Sequence, residues 1–260
     1  MQMPLNQYFK LIDTHAKLQL RADASRYFFG YLWWLLEPLL YVLVFYVVFE
    51  LLLDSGRSDF LVFLMCGKLV FVWFSKSVTQ ASNSIIDNNG LIGMIDIPKS
   101  LFPLAVLQQG IYRQLAVFVL LIAFLLLSGY SISVEWLYLL PLVIVNYLVI
   151  AACALIGASL VCFMRDVSLI IGLGMIFMLF VSGVFWDVRA LDNVEMTRMI
   201  LIWNPLAFLI DAYRQIFMFQ QVPDLTHLFL LGLSSGCIVY IVSSLMRKYS
   251  QAIALRALSA

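Results

Sequence analysis

Five ionisable side chains sit inside or at the edges of long apolar runs: Glu37, Glu50, Lys68, Lys76 and Arg113. A charge at membrane depth is costly, so such residues mark ion pairs, substrate paths or proton relays. Glu37 precedes Pro38 near one end of its run, and Glu50 lies near the other end, within reach of the interface. Long side chains snorkel, which accounts for Lys76 and Arg113. Lys68 lies roughly 8 residues, or about 12 Å of helix, into its run. It either pairs with Glu50 or faces an aqueous path and meets an anionic substrate.

Other chemistry is missing. His15 and His227 are far apart, and neither has a second histidine or a cysteine at ligand spacing, so no metal site is expected. Gly157-Ala158-Ser159 superficially looks like an intramembrane serine protease, but no histidine lies in an apolar run to serve as base. Gly67-Lys68 lacks the upstream glycine and the following Ser/Thr of a phosphate loop. The chain should neither bind nor hydrolyse ATP. Cys66, Cys153, Cys162 and Cys237 lie in apolar runs without paired spacing and read as buried free thiols. The expectation is a path and docking surfaces, with no catalytic residue and no cofactor in this chain.

The elements that must position these residues are membrane spans. Of 260 residues, 63% are hydrophobic and 12% charged, with a mean hydropathy of +0.98. Soluble domains carry roughly 45–50% apolar and about 25% charged residues. That excludes an ordinary soluble enzyme and a disordered chain, and a net charge of +1 leaves no basic field for nucleic acid. Runs long enough to cross a bilayer, about 20 residues each, fall at 35–53, 60–82, 103–128, 136–162, 167–186 and 225–246. The first begins too far in for a signal peptide. The expected fold is all-α and integral to the membrane, a single domain over 1–260. An interface segment at 1–30 precedes a six-span bundle at 35–246 and a tail at 247–260.

Lys and Arg in short loops set orientation. With the N-terminus inside, inner segments hold nine basic residues (Lys10, Lys17, Arg21, Arg26, Lys99, Arg165, Arg247, Lys248, Arg256) against four outside (Arg57, Arg189, Arg198, Arg214). Both termini should be cytoplasmic.

Several connecting segments are more apolar than solubility requires. In residues 5–28, Leu5, Tyr8, Phe9, Ile12, Ala16, Leu20, Ala24 and Tyr27 recur at helical spacing, with Lys10, Lys17 and Arg21 on other faces. That predicts an amphipathic helix along the inner surface, its basic face toward lipid headgroups. It anchors the chain, or also touches a cytoplasmic partner. The inner loop at 83–100 contains Asp87-Asn88-Asn89-Gly90-Leu91-Ile92 and reads as a docking surface, or as side chains that pack on the bundle or dip into lipid. The turn at Arg165-Asp166 is plain topology or a second contact point. Between spans five and six, two amphipathic stretches flank Asn204-Pro205, where Asn204 N-caps the second and Pro205 suits its first position. Each is too short to span, so a re-entrant or surface-lying pair fits, lining or closing a pathway.

Four stretches resemble the ABC-2 permeases that export O-antigen and capsular polysaccharides. They are Arg26 to Pro38 with Gly30, Trp33 and Trp34; Phe63 to Gly67, running on through Trp73 and Asn83 to Lys99; Phe163 to Val167; and Asn204-Pro205-Leu206, leading to Asp211-Ala212-Tyr213-Arg214. They occur in the family's order across nearly the whole chain. Departures are Gly93-Met94, where two basic residues are common, Lys68 at an apolar position, and Phe29 for Leu.

The resemblance implies a homodimeric permease in the bacterial inner membrane, embedded in membrane lipid. Two copies of a separate ABC ATPase would bind ATP and Mg beneath it. Coupling would run through Lys10, Lys17, Arg21, Asp87, Asn88, Asn89, Leu91, Ile92, Arg165 and Asp166. A lipid-linked polysaccharide would pass Trp33, Trp34, Tyr41, Phe45, Lys68, Phe177, Phe180 and Phe185, because sugars lay apolar C–H faces on aromatic rings. Asn204, Pro205, Asp211, Tyr213 and Arg214 would gate the exit. Teichoic acid or a small lipophilic drug is the alternative cargo. A passive channel or an intramembrane lipid enzyme is the alternative class.

Overall fold

The computed structural model describes residues 4–48, 59–94 and 97–259. Among them there are helices and turns but no strand. In chain order the helices are α1 (Leu5–Arg26), α2 (Trp33–Tyr46), α3 (Phe60–Asp87), α4 (Asn89–Met94), α5 (Leu101–Leu127), α6 (Leu139–Phe163), α7 (Asp166–Val181), α8 (Val194–Trp203), α9 (Pro205–Phe217), α10 (Leu225–Lys248) and α11 (Ser250–Ser259).

Four of these are long and apolar enough to cross a membrane: α3, α5, α6 with the 3-10 turn before it, and α10. Six were expected. Span one begins as α2, but its last five residues, 49–53, with Glu50, lie outside the described residues. Span five, expected over 167–186, ends at Val181 after 16 residues. Gly183, at φ 70°, stops it. A left-handed residue just past a helix end satisfies the last carbonyls, and glycine adopts it without a Cβ penalty.

α3 is the centre of the bundle. It is buried along most of its length and packs against α5, α6, α7 and α9. Leu64, Cys66, Leu69, Val70 and Ala81 on α3 meet Leu121 and Leu125 of α5 and Leu142, Ile150 and Ala154 of α6 in one core. Small residues let the α3 and α6 backbones approach. A Cβ on Gly157 would overlap Ser82 Oγ. Helix association in lipid depends on such packing, since no hydrophobic gain distinguishes protein from acyl chain. α7 contributes no buried residue: Leu169, Ile170, Leu173, Ile176, Phe177 and Phe180 are all exposed.

Candidate functional site

Two regions gather the residues of interest, one at each end of the bundle. The first lies at the end that carries α1 and α11. α1 buries the ridge Ile12, Ala16, Leu20 and Ala24, an i, i+4 row, while Phe9 and Leu18 stay exposed. The row is covered by protein, because α1 lies along α5. Polar contacts fix it there. Tyr8 Oη and Ser100 Oγ are 2.8 Å apart. Asp13 accepts from Lys17 Nζ at 2.7 Å and from the Tyr112 hydroxyl. Asp23 accepts from Gln109 Nε2 at 2.7 Å and from Arg113.

A second hydrophobic core lies below α3. Ile12 of α1, Ile85 of α3, Ile92 of α4, Leu101, Phe102 and Ala105 of α5, Leu155, Ala158 and Cys162 of α6, Met246 of α10, and Ile253 and Ala257 of α11 form one cluster. Three segments that the sequence separates therefore converge here: the N-terminal helix, the apolar loop, and the end of α6 before Arg165. The outer faces of α4 and the turn remain open, with Asp87, Asn89, Leu91, Met94, Arg165 and Asp166 exposed.

Polar side chains also line two clefts on this side. One between α2, α3 and α5 is walled by Trp34, Glu37, Trp73, Lys76 and Arg113. The other, between α1, α3 and α5, is walled by Asp23, Arg26, Gln80, Asp87 and Asn88. Lys76 and Arg113, expected to snorkel, are each held in an ion pair instead, Lys76 with Glu37 and Arg113 with Asp23.

The second region is at the opposite end. α9 is buried from Leu206 to Phe217, so it is an inserted helix, whereas α8 buries no residue. Both short helices expected between spans five and six are present, and they differ in burial. Asn204 caps α9, its Oδ1 accepting from the Leu206 and Ala207 N–H at 3.1 Å, with Pro205 at the first helical position as read from the sequence. Its Nδ2 donates to Ser182 Oγ at 3.1 Å, which ties the end of α7 to the start of α9.

Arg214 completes the tie. Its Nη1 donates to Gly183 O at 2.6 Å, and its Nη2 donates to Val184 O at 2.8 Å and to Phe63 O at 3.3 Å. The guanidinium lies over the Phe63 ring, 3.4 Å from its centroid. Gly67 makes room: a Cβ there would stand 2.5 Å from Arg214 Nη2. One turn earlier on α9, Asp211 accepts from Arg189 Nε and Nη2 at 2.9 Å and from Gln215 Nε2 at 2.6 Å. Charged hydrogen bonds of this kind are roughly twice as strong as neutral ones, and a paired fork adds geometry. The connection from residue 182 to 189 is thus fastened to α9 at three points.

Comparison with known proteins shows the family of the chain. Residues 16–218 match the ABC-2 type transporter family. This chain is a member of it. Among curated relatives, an O-antigen export system permease protein RfbA of Klebsiella pneumoniae is 29% identical over 211 residues, 80% of this chain and 79% of the relative. An O-antigen export system permease protein RfbA of Myxococcus xanthus is 26% identical over 246 residues, 93% of each. A second Klebsiella pneumoniae RfbA is 28% identical over 211 residues. Members of the ABC-2 family are the membrane subunits of transporters and are not themselves ATPases.

The remaining candidate residues lie in the following surroundings. Lys10 and Arg21 are exposed, Lys17 pairs with Asp13, and Asn88 donates to Ser84 O at 2.7 Å. Ile92, grouped with the docking residues on sequence, points inward, so only Leu91 and Met94 present the apolar surface of α4. Trp33 stacks on Tyr27 and Phe29. Arg113 lies over the Trp34 ring, and Lys68 Nζ is 5.3 Å from the Tyr41 centroid in a buried position on α3. Phe45 has no described side chain. Phe185 packs on Phe180 with ring centroids 5.6 Å apart.

Sequence reasoning missed Arg189, Asp23, Ser182 and the whole of α11. Arg189 stood unpaired in the sequence, 22 residues from Asp211. Its signal was an arginine in a segment otherwise dominated by acids.

Proposed function

We propose that this chain is the permease subunit of an ABC exporter that moves a lipid-linked polysaccharide of the O-antigen or capsule type across the bacterial inner membrane. The observation that carries the reading is the convergence of α1, α4 and the end of α6 on one core, with the open faces of α4 and the turn directed away from it. A cytoplasmic ATPase subunit docked there would push on all three segments through a single packed unit. The relatives' name, O-antigen export system permease, supports the cargo class. Both termini lie on the cytoplasmic side in this reading, where the basic residues are in excess.

A homodimer is part of the proposal. The aromatic candidates Tyr41, Phe177 and Phe180 lie exposed on α2 and α7. A path between them is enclosed only when a second copy faces the first. The region around Asn204, Asp211 and Arg214 then stands at the exit.

The test is co-purification in mild detergent from the native host. A stoichiometric ATP-binding subunit and a native mass of two permease chains support the reading. Recovery of one chain alone refutes it. Within the complex, Asp87→Arg with Leu91→Glu should abolish export while the protein still inserts. Unchanged export would remove the docking role of α4.

A further inference from the structure

We infer that the C-terminal helix α11 is the positioning element of α4, so that the two move as one body when an ATPase subunit engages. The inference rests on the function proposed above. It starts from the length of α4, six residues, or about 9 Å of helix. Helices that short are not stable by themselves in water, because nucleation costs more than so few hydrogen bonds return. The shape and position of α4 are therefore set by what it packs against.

One inward side chain, Ile92, anchors α4, and the cluster it enters contains Ile253 and Ala257 of α11. Leu258 completes the contact from the side, its Cδ2 3.4 Å from where a Cβ on Gly93 would stand. α11 is itself well placed to bear load. It leaves α10 after Tyr249, whose N–H donates to Leu245 O at 2.9 Å, and the Ile253 N–H donates to Tyr249 O at 3.0 Å. It also packs on α6. A push on α4 thus reaches α6 and α10 through α11, besides the direct chain connections to α3 and α5. The family match ends at residue 218, so nothing in it assigns a role to α11.

Ile253 and Ala257 are positioning residues in this scheme, without contact to cargo or nucleotide. Ile253→Asp should lower export by about tenfold, since loss of a buried aliphatic group at a packed contact undoes the docking. ATP hydrolysis by the recovered complex should persist, and Ile253→Leu should restore export. A merely structural role would instead reduce the amount of complex and its hydrolysis together. Normal export from Ile253→Asp overturns the inference.

A second experiment does not depend on that variant folding. Gly93→Cys and Leu258→Cys, with the native cysteines replaced, are joined by a short cleavable bis-maleimide. If α4 and α11 move together, the linked protein exports as well as the unlinked one. A missing link, or export that stops on linking and returns on cleavage, overturns the inference. If the wild-type chain recovers no ATP-binding subunit, the proposed function and this role fall together. If the subunit is present and only the link fails, α11 alone loses its part.

Discussion

Replacing Gly67 by alanine tests how the distal end of the bundle is held. The new Cβ would lie 2.5 Å from Arg214 Nη2, closer than real carbon contacts, and a tight 3.2 Å from its Cζ. The guanidinium has to leave, and its Nη2 loses the bond to Val184 O, now 2.8 Å long. A hydrogen bond to a charged group is worth roughly 1.5–3 kcal/mol. For a domain of this length, 1 kcal/mol moves Tm by about 2–4 °C, so the expected fall is about 3–12 °C. Arg214→Met strips the Gly183 and Val184 carbonyls together and should cost more, about 3–6 kcal/mol. The decisive measurement is the double variant, followed by tryptophan fluorescence of detergent-purified protein. If the added methyl acts only by displacing the guanidinium, Gly67→Ala adds nothing once Arg214 is gone. The coupling then equals the whole Gly67→Ala effect, about 1.5–3 kcal/mol, where independent sites add to within about 0.5 kcal/mol. Additive losses, or a Gly67→Ala protein that melts with the wild type, would refute the packing argument.

Arg189→Met should loosen the connection between α7 and α9, because the buried Asp211 carboxylate keeps only its bond to Gln215; faster protease cleavage between residues 186 and 193 checks this, and unchanged cleavage counts against it. Gly157→Ala should destabilise the α3–α6 contact through its clash with Ser82 Oγ, and Ser82→Ala in the same chain should recover part of the loss; no recovery would place the strain elsewhere. Docking of α1 should weaken in acid. The Lys17 and Tyr112 hydrogen bonds hold the Asp13 carboxyl below its usual value, and partial burial lowers the His15 imidazole. Release of α1 breaks the Tyr112 bond to Asp13 and uncovers His15, so both bind protons more readily then, and docking is complete above pH 6.5, the ordinary histidine value. It weakens as pH falls through the depressed His15 value, and again below the carboxylate range. A nitroxide on Leu18→Cys should report rising mobility over the upper step, and His15→Phe should remove that step. Flat mobility from pH 7.5 to 5 would contradict the assignment.

Much of the helix order was legible because each signal is local. Hydropathy over about 20 residues fixes a span by the cost of unpaired backbone in lipid. α3, α5, α6 and α10 follow from it. The cap at Asn204 and Pro205 was legible for the same reason: an N-cap is written in two adjacent residues. The i, i+4 row of α1 could also be read, but not what covers it. Apolar side chains look alike whether lipid or α5 lies opposite.

What the tertiary structure decided depends on residues far apart in the chain. Lys76 and Arg113 could have snorkelled, and only the approach of Glu37 and Asp23 makes them ion-paired. Arg214 and Gly67 explain each other across 147 residues, since a glycine beside a guanidinium is a statement about space, which sequence spacing does not carry. The same holds for α11. In the sequence it is part of the tail after the last span, yet its Ile253 and Ala257 close the core under α4. Sequence alone determined which segments seek a membrane and where helices begin. Folding decided which of their faces meet, because packing is a property of pairs of surfaces.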